Sequence, residues 1–241
     1  MSALNSISST FRQLGALNGF LYLLARVLNR CSPRCNLLKY YLVAQPVAAA
    51  ARLSGARGNS IVVRVLERGD PALTQMQRPP ATLEQRFSQG SICLGAFKGA
   101  ELAGYLWLHF SAYPEDEVRC RFEPTPTHAT AWDFDVFVAP KHRLGYTFPR
   151  LWDEADARLR ARGVRWSMSR ISAFNPASLT AHARMGLKTF GTALYLVVFR
   201  VQLTLATLPP YLHLSLTARS CPHIAVRAPE VPHNSNGGAP K

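Results

Sequence analysis

The sequence predicts a mixed α/β fold over residues 59–203, in which short strands alternate with helices. Apolar runs of strand length end at turn residues, and helical patterns lie between these runs. The chain has 241 residues, of which 48% are hydrophobic, so it can bury one sizeable core. We therefore expect one globular domain with an extension at each end, residues 1–58 and residues 204–241.

Residues 1–58 form a basic region that we expect to be helical. In residues 8–30 apolar side chains recur at spacings of three and four, which predicts an amphipathic helix. The uncharged stretch from Gln13 to Ala25 is shorter than the ~18–20 apolar residues that cross a bilayer. Three interpretations stay open: a peripheral membrane contact through residues 8–45, a transit peptide, or a helix that packs on the domain.

From residue 59 the pattern changes to that of a folded domain. Helix signals are placed as expected, with Pro149 in a first turn, Gly163 just after a helix, and Asn175 as an N-cap. Residues 204–241 are rich in Pro, Ser, Asn and Gly, so we expect a disordered tail. The predicted order is strand (59–70), helix (79–90), hairpin (91–113), strand (131–140), helix (148–162), strand (164–171), short helix (175–186) and one or two strands (189–201).

The net charge of +14 is unevenly distributed, since no acidic residue precedes Glu67. This bias favours an anionic partner such as a membrane surface, a nucleic acid or a phosphorylated ligand. A coding bias towards arginine, with no single partner, is the alternative. The sequence has no strip of aromatic and basic residues and no DNA-reading motif, so we expect no nucleic acid partner.

The cysteines bear on the compartment and on metal binding. Their odd number, five, indicates reduced thiols and a cytoplasmic protein, or one held peripherally on the inner face of a membrane. Cys31 and Cys35 are the closest pair, but no second Cys or His pair follows at a zinc-binding spacing, so we expect no metal. The absence of a Gly-x-Ser-x-Gly motif argues against a serine hydrolase of the nucleophile-elbow type.

A loop joins the strand at 131–140 to the helix at 148–162. A strand that leads directly into a helix directs the free amides and the positive dipole end of that helix at the loop, which makes an anion site. Gly145 allows a close approach of the backbone to a ligand. Lys141, His142 and Arg143 add positive charge, so we expect a phosphate group here.

The element order and two motifs resemble those of the GNAT acyltransferase superfamily over residues 60–200. The loop of that family, Gln/Arg-x-x-Gly-x-Gly/Ala, corresponds here to His142, Gly145 and Thr147, so the central Gly matches and both ends differ. Two further segments correspond, Asn175-Pro-Ala-Ser178 and Arg184-Met-Gly186. The resemblance implies a mixed, mostly antiparallel central sheet flanked by helices, with splayed central strands.

The resemblance also implies an activity, the transfer of an acyl group from a CoA thioester directly to an acceptor amine. Acyl-CoA or acetyl-CoA is the donor, and the acceptor is lipid-like in one version of the hypothesis. In the family a Tyr protonates the leaving thiolate, and His182 stands at that position here. The residues that the resemblance assigns to the CoA thioester are Phe137, Val138, His142, Arg143, Leu144, Gly145, Tyr146, Thr147, Asn175 and Ser178.

Two carboxylates are candidates for the base that deprotonates the amine. Asp133 and Asp135 are two apart on a predicted strand, so they should point to one face. The alternative is a purely structural ion pair with Arg165, Arg170 or a neighbouring strand.

The charged segment at residues 113–122 has two interpretations, an acceptor site for a cationic amine or, preferably, a solvated loop before an edge strand. The second function that we consider is a non-catalytic GNAT-like module, whose basic N-terminal region binds a membrane or another anion. Arg170 and Ser172, at the end of the strand after the helix, are weaker candidates for contact with the pantetheine arm.

Overall fold

The computed structural model describes residues 3–217 and 219–229. Its helices are α1 (Ala3–Cys31), α2 (Pro80–Ser88), α3 (Thr147–Ala161) and α4 (Pro176–Ala183). Its strands are β1 (Cys35–Pro46), β2 (Val62–Leu66), β3 (Ile92–Lys98), β4 (Glu101–His109), β5 (Tyr113–Pro114), β6 (Arg121–Thr125), β7 (Thr130–Val138), β8 (Trp166–Ser172), β9 (Lys188–Val198), β10 (Val201–Ala206), β11 (Leu212–Ser215) and β12 (His223–Arg227).

The described strands form two sheets. The large sheet has the order β11-β10-β9-β1-β8-β7-β4-β3-β2, and the small sheet has the order β12-β6-β5. In the large sheet every neighbouring pair is antiparallel except β7 and β8, which run parallel. The prediction of a mixed, mostly antiparallel sheet flanked by helices is therefore confirmed.

Two apolar cores lie on opposite faces of the large sheet. On one face, which we call the α3 face, α3 packs through Leu151, Trp152 and Leu159, all fully buried. On the other, the α2 face, Trp107 and Trp132 of the large sheet pack with α2 and the small sheet. Each strand between these layers therefore presents apolar side chains in both directions.

Strand β1 lies in the middle of the large sheet, which corrects the expectation that residues 1–58 form a helical region outside the domain. It pairs antiparallel with both β8 and β9, so that Tyr40 is opposite Ser172 on one side and Ala193 on the other. Leu42 and Ala44 are fully buried. A strand covered on both faces is a nearly continuous apolar run, without the alternation that marks a half-exposed strand. For that reason the sequence pattern of β1 resembled a continuation of the preceding helix.

The predicted N-terminal helix is present as α1, and it packs on the α3 face of β1. It bends at Gly15, whose backbone has φ 77° and ψ 172°. After the bend, the Asn18 side chain donates a hydrogen bond to the Tyr41 hydroxyl (3.0 Å) and accepts one from Lys39 Nζ (2.8 Å). Among the described residues, no helix combines the length and the hydropathy that a membrane span requires.

The C-terminal part is more ordered than predicted. The expectation of a disordered tail from residue 204 is wrong as far as residue 227, because β10, β11 and β12 lie in this stretch. Ile224 and Val226 of β12 are fully buried and lie against β6. Residues 230–241, the remainder of the predicted tail, lie outside the described residues.

The central position of β1 can be tested through stability. Leu42→Ala removes a fully buried side chain between β8 and β9, so we expect it to lower the free energy of unfolding by about 2–5 kcal/mol. Leu17→Ala, at a helix position that is 64% exposed, is the matched control and should change stability by less than about 0.5 kcal/mol. Urea denaturation measures both, and equal small effects would contradict the placement of β1 in the core.

Candidate active site

A deep cleft opens between the parallel strands β7 and β8. These strands pair only over Thr130–Trp132 and Trp166–Met168 and then diverge. The cleft has a volume of about 1410 Å³. Besides β7 and β8, its lining comes from α1, β1, α2, α4 and the segment around Asp116. Because the strands no longer pair, alternate backbone N–H and C=O groups on their facing edges are free for a ligand.

A β-bulge in β7 accompanies the divergence. Strand β4 pairs Tyr105 with Phe137 and Trp107 with Phe134, so two residues of β7 lie opposite the single residue between them. One of the two is Asp135, whose φ of 48° is unusual for a residue other than glycine. The bulge interrupts the alternation of side chains along the strand.

The bulge corrects the expectation that Asp133 and Asp135 share one face. Asp133 points to the α3 face, towards Ser167, whereas Asp135 points to the α2 face, towards arginines of α2 and the loop before it. The rule that residues two apart point to one side holds only for an uninterrupted strand.

Asp133 is a buried carboxyl group in the wall of the cleft. Its side chain is 3% exposed, and Ser167 Oγ donates a hydrogen bond of 2.5 Å to Asp133 Oδ1. Burial raises the pKa of Asp133 to about 7, although hydrogen bonds from Ser167 and Ser169 oppose this shift. At neutral pH the group therefore exchanges a proton readily, which a general base must do.

Asp135 is held in an ion-pair network, as the structural alternative proposed, although not with the partners expected. Arg78 Nε (2.8 Å) and Arg86 Nη1 (2.6 Å) both donate to Asp135 Oδ2. The Arg86 guanidinium is 5% exposed and lies over the rings of Trp107 and Phe134. With its oxygens engaged by two guanidinium groups, Asp135 is a poor candidate for the base.

The charged segment at 113–122 is not a solvated loop; its acids are tied to the α2-face wall of the cleft. Arg170 donates two hydrogen bonds to Glu115, of 2.8 and 2.6 Å, and Arg86 donates two to Asp116, of 3.1 and 2.6 Å. The Tyr40 hydroxyl donates one of 2.5 Å to Glu117. Tyr40 and Arg86 could not be recognised from the sequence, because a central strand of Tyr and Leu and a single Arg in a short helix carry no catalytic pattern.

His182 does not have the environment of a proton donor. It is 4% exposed, with edge-to-face ring contacts to Phe148 and Trp152, and its Nδ1 lies 3.0 Å from Gln45 Oε1. An amide oxygen only accepts hydrogen bonds, so Nδ1 carries the hydrogen. Burial lowers the pKa of His182 to about 4, which leaves the ring neutral at pH 7. The structure thus contradicts the acid role that the resemblance suggested for His182.

The loop between β7 and α3 has the predicted strand-loop-helix geometry. Tyr146 is the N-cap of α3, no side chain caps the helix, and the amides of the first turn have no acceptor within the helix. A Cβ atom at Gly145 would meet only the His142 carbonyl oxygen, at 3.5 Å, so open space adjoins this glycine. Leu144 is fully exposed.

The basic side chains of the loop are engaged elsewhere, contrary to expectation. Lys141 Nζ (2.8 Å) and His142 Nε2 (3.3 Å) both lie next to Glu101 Oε1 in β4. Arg143 Nε donates to the Val138 carbonyl at 3.1 Å. Glu101 offsets one positive charge of the loop, whereas a hydrogen bond to a neutral carbonyl leaves the Arg143 charge in place beside the helix amides.

The structure brings only part of the predicted set together. The predicted residues that line the cleft are Asp133, Asp135, Asn175, Ser178 and His182, together with the weaker candidates Arg170 and Ser172. Asn175 caps α4 as predicted, since its Oδ1 accepts a hydrogen bond from the Ser178 amide (3.1 Å). The other predicted residues, Phe137, Val138 and the loop at 142–147, lie further along β7 and at its end, beyond the lining of the cleft.

The buried carboxyl group makes a prediction about stability. Because the pKa of Asp133 is higher in the folded chain than in the unfolded chain, the folded state binds this proton more tightly. Asp133 therefore lowers the free energy of unfolding as the pH rises from about 4 to about 7. Asp133→Asn has no carboxyl group at this position to titrate. We therefore expect its free energy of unfolding to rise, relative to that of wild type, by about 2–4 kcal/mol over this range. Urea denaturation at a series of pH values measures it, and a constant difference would contradict the buried carboxylate.

Comparisons with known proteins bear on the fold. No family model matches the chain, and no curated protein matches it in sequence. Among solved structures, a functionally unknown conserved protein from Staphylococcus epidermidis is 10% identical, with a TM-score of 0.50 over 73% of this chain and 67% of that one.

Two further similar structures are those of GNAT proteins. A tandem GNAT protein from the clavulanic acid biosynthesis pathway is 16% identical, with a TM-score of 0.47 over 68% of this chain and 53% of that one. A putative GNAT-family acetyltransferase from Novosphingobium aromaticivorans is 14% identical, with a TM-score of 0.46 over 67% and 64%. The chain thus spans about half of the first and just under two thirds of the second.

Sequence identities this low carry information about the fold and none about the activity. The mostly antiparallel sheet, the central strands that diverge, and the helix α3 after β7 are those that we expected, whereas the position of β1 between β8 and β9 was not. The predicted architecture, a mixed and mostly antiparallel sheet with diverging central strands and flanking helices, is confirmed, and it is the architecture that the resemblance to the GNAT acyltransferase superfamily implied.

Proposed function

We propose that this protein is an acyl-CoA-dependent N-acyltransferase that moves an acyl group from a CoA thioester directly to an acceptor amine. The observation that carries the proposal is the divergence of β7 and β8 directly before the uncapped N-terminus of α3. A thioester arm fits between strand edges that have lost their partners. The diphosphate at the far end of such a molecule would meet the free amides of a helix N-terminus.

The α3 N-terminus would hold the diphosphate of the donor. In this proposal the amides of Tyr146, Thr147 and Phe148 donate to phosphate oxygens, and the open space at Gly145 admits the group. Lys141 and His142 take a smaller part than the sequence suggested, because Glu101 already engages them. Backbone amides do not depend on side-chain identity, so this arrangement tolerates the departures at both ends of the loop motif.

Asp133 would act as the base. The amine nitrogen loses a proton to the Asp133 carboxylate and attacks the thioester carbonyl carbon. A C–N bond forms, the C–S bond breaks, and CoA leaves as a thiolate that takes up a proton. A backbone amide of Phe137 or Val138 would donate to the carbonyl oxygen as negative charge develops there. His182 has no proton-donating role in this scheme.

The size and lining of the cleft favour a large acceptor or a long acyl group. A volume of about 1410 Å³ exceeds the ~300–1000 Å³ of ordinary small-molecule pockets. Tyr22, Leu23 and Val27 of α1 contribute apolar surface beside the polar α2-face wall. We therefore propose a substrate with a substantial apolar part, of lipid-like character, in addition to the amine.

The donor site predicts stabilisation by ligand. Acetyl-CoA or a longer acyl-CoA at about 100 times its dissociation constant should raise the melting temperature by about 5–10 °C. Gly145→Trp fills the space beside the α3 amides and should abolish this rise, whereas Ala100→Trp, on an exposed turn outside the loop, should retain it. If wild type shows no rise with any acyl chain length, the non-catalytic module becomes the better hypothesis.

The base predicts a pH profile. We expect kcat to increase with pH and to level off above about 7, since Asp133 accepts a proton only when ionised. Asp133→Asn should lower kcat by about 10²–10⁴-fold. A CoA-release assay against a panel of amines measures both. A full-rate Asn variant, or a profile that is flat between pH 6 and 8, would exclude Asp133 as the base.

A further inference from the structure

The α3 face of strands β9, β10 and β11 exposes a continuous row of large apolar side chains. Register places them side by side, because Leu205 lies opposite Leu212, Leu203 lies opposite Leu214, and Val201 lies opposite Val198. Residues that face each other across antiparallel strands project from the same side of the sheet. The exposed members, each between 39% and 64% accessible, are Val198, Val201, Leu205, Leu212, Leu214 and Leu216; we call them the leucine face.

An uncovered face of this kind is unusual. Soluble proteins seldom expose contiguous apolar patches, and those that do generally use them for binding. On the opposite side of the same strands, Gln202, Thr204 and Ser215 are buried. The polar residues thus lie inside and the leucines outside, which reverses the usual arrangement of a solvated edge of a sheet.

The tip of the β9–β10 hairpin is strained. Phe199 has φ 54°, a left-handed conformation that is costly for a bulky residue, and its side chain is 62% exposed. Its amide donates a hydrogen bond to the Arg34 carbonyl (2.9 Å), which brings the turn before β1 next to the tip. The tip therefore displays an aromatic ring between Arg34 and Arg200. Strain that exposes an apolar ring points to a binding role.

Helix α1 extends the same surface. It covers β1 on the α3 face, so its outer side looks in the same direction as the leucine face. Leu17, Phe20 and Val27 on α1 are 57–64% exposed. Arg26 and Arg30 of this helix, with Val27, also line the mouth of the cleft. An exposed apolar residue of α1 therefore borders the proposed active site.

The charge on this surface has one sign. Helix α1 and strands β1, β9, β10 and β11 contain no acidic residue. A second copy of the chain would bring only cations against cations around the apolar area, without a carboxylate to pair with them. An anionic lipid bilayer matches both properties, since it takes up apolar side chains and attracts arginines at its surface.

We propose that the leucine face, the Phe199 tip and the outer side of α1 form a docking surface for a bilayer that contains anionic lipids. Phe199 and the leucines enter the boundary between headgroups and acyl chains, and Arg34 and Arg200 lie at the headgroup phosphates. The mouth of the cleft then opens beside the bilayer. Docking needs no turnover, so it stands independently of the N-acyltransferase activity proposed above.

The test is co-sedimentation of the full chain with phosphatidylcholine vesicles, with and without phosphatidylglycerol. We expect binding to the anionic vesicles and little to the neutral ones. The triple variant Phe199→Ser, Leu212→Ser, Leu214→Ser should bind about 100-fold more weakly, because each exposed side chain loses apolar area that the bilayer would cover. Val62→Ser, equally exposed at 61% but on the opposite edge strand, should bind like wild type.

A second pair of variants tests the charges. Arg34→Gln with Arg200→Gln should weaken binding to anionic vesicles by about 30-fold, whereas Lys98→Gln, at the end of β3, should have little effect. Melting temperatures near that of wild type show that each variant is folded, and the acyl-CoA melting shift should persist in all of them.

Three results would overturn the proposal. The first is failure of wild type to bind anionic vesicles, and the second is equal binding by the triple variant. The third is a wild-type protein that is dimeric in solution and a triple variant that is monomeric, since the leucine face would then bind a second copy of the chain. A protein that docks but shows no acyl-CoA melting shift would contradict the proposed activity and leave docking in place.

Discussion

The extra residue that β7 carries opposite β4 is the constraint on which the cleft depends. Strand β7 must pair with β4 along most of its length and also part from β8 after three residues. The bulge at Asp135 accompanies this parting by adding local twist and bending the strand. It also decides chemistry, since it sends Asp133 and Asp135 to opposite faces of the sheet.

The two walls of the cleft differ because of this division. On the α2 face, guanidinium groups and carboxylates satisfy one another, with Arg86 between Asp116 and Asp135, and Arg170 on Glu115. Such a network resists change, because removal of any member leaves a buried charge unpaired. On the α3 face, Asp133 has hydroxyl partners and no ion-pair partner within hydrogen-bonding distance among the described residues. The charges on the α2-face wall are thus held in ion pairs, whereas the charge of Asp133 on the α3-face wall can change with protonation.

Much of this architecture could be predicted from local sequence signals. The helices α2, α3 and α4 and strands β2, β3, β4, β7, β8 and β9 carry their own periodicity, capping residues and turns, and the prediction located them. Strand β1 could not be recognised in this way. Its residues are apolar because both faces are covered, and that fact belongs to the tertiary structure.

The site was less predictable than the fold, for a related reason. A bulge is a property of the pairing between two strands, so it cannot be recognised in the sequence of either strand alone. The sequence therefore suggested one face for two aspartates that the structure separates. The partners of Asp116 and Glu115, namely Arg86 and Arg170, come from distant segments that no local pattern connects. Capping of α4 by Asn175 was predicted, because its signal spans only three residues.

The insertion of β1 between β8 and β9 has a consequence for folding during synthesis. Cys35 pairs with Val198 and Pro46 with Trp166, so β1 leaves the ribosome long before the two strands that become its neighbours. Until then its apolar side chains and unpaired backbone are open to wrong contacts. Closure of the large sheet across such long sequence separations should be slow. An emerging chain of this design is a natural client for chaperones that shield extended apolar segments.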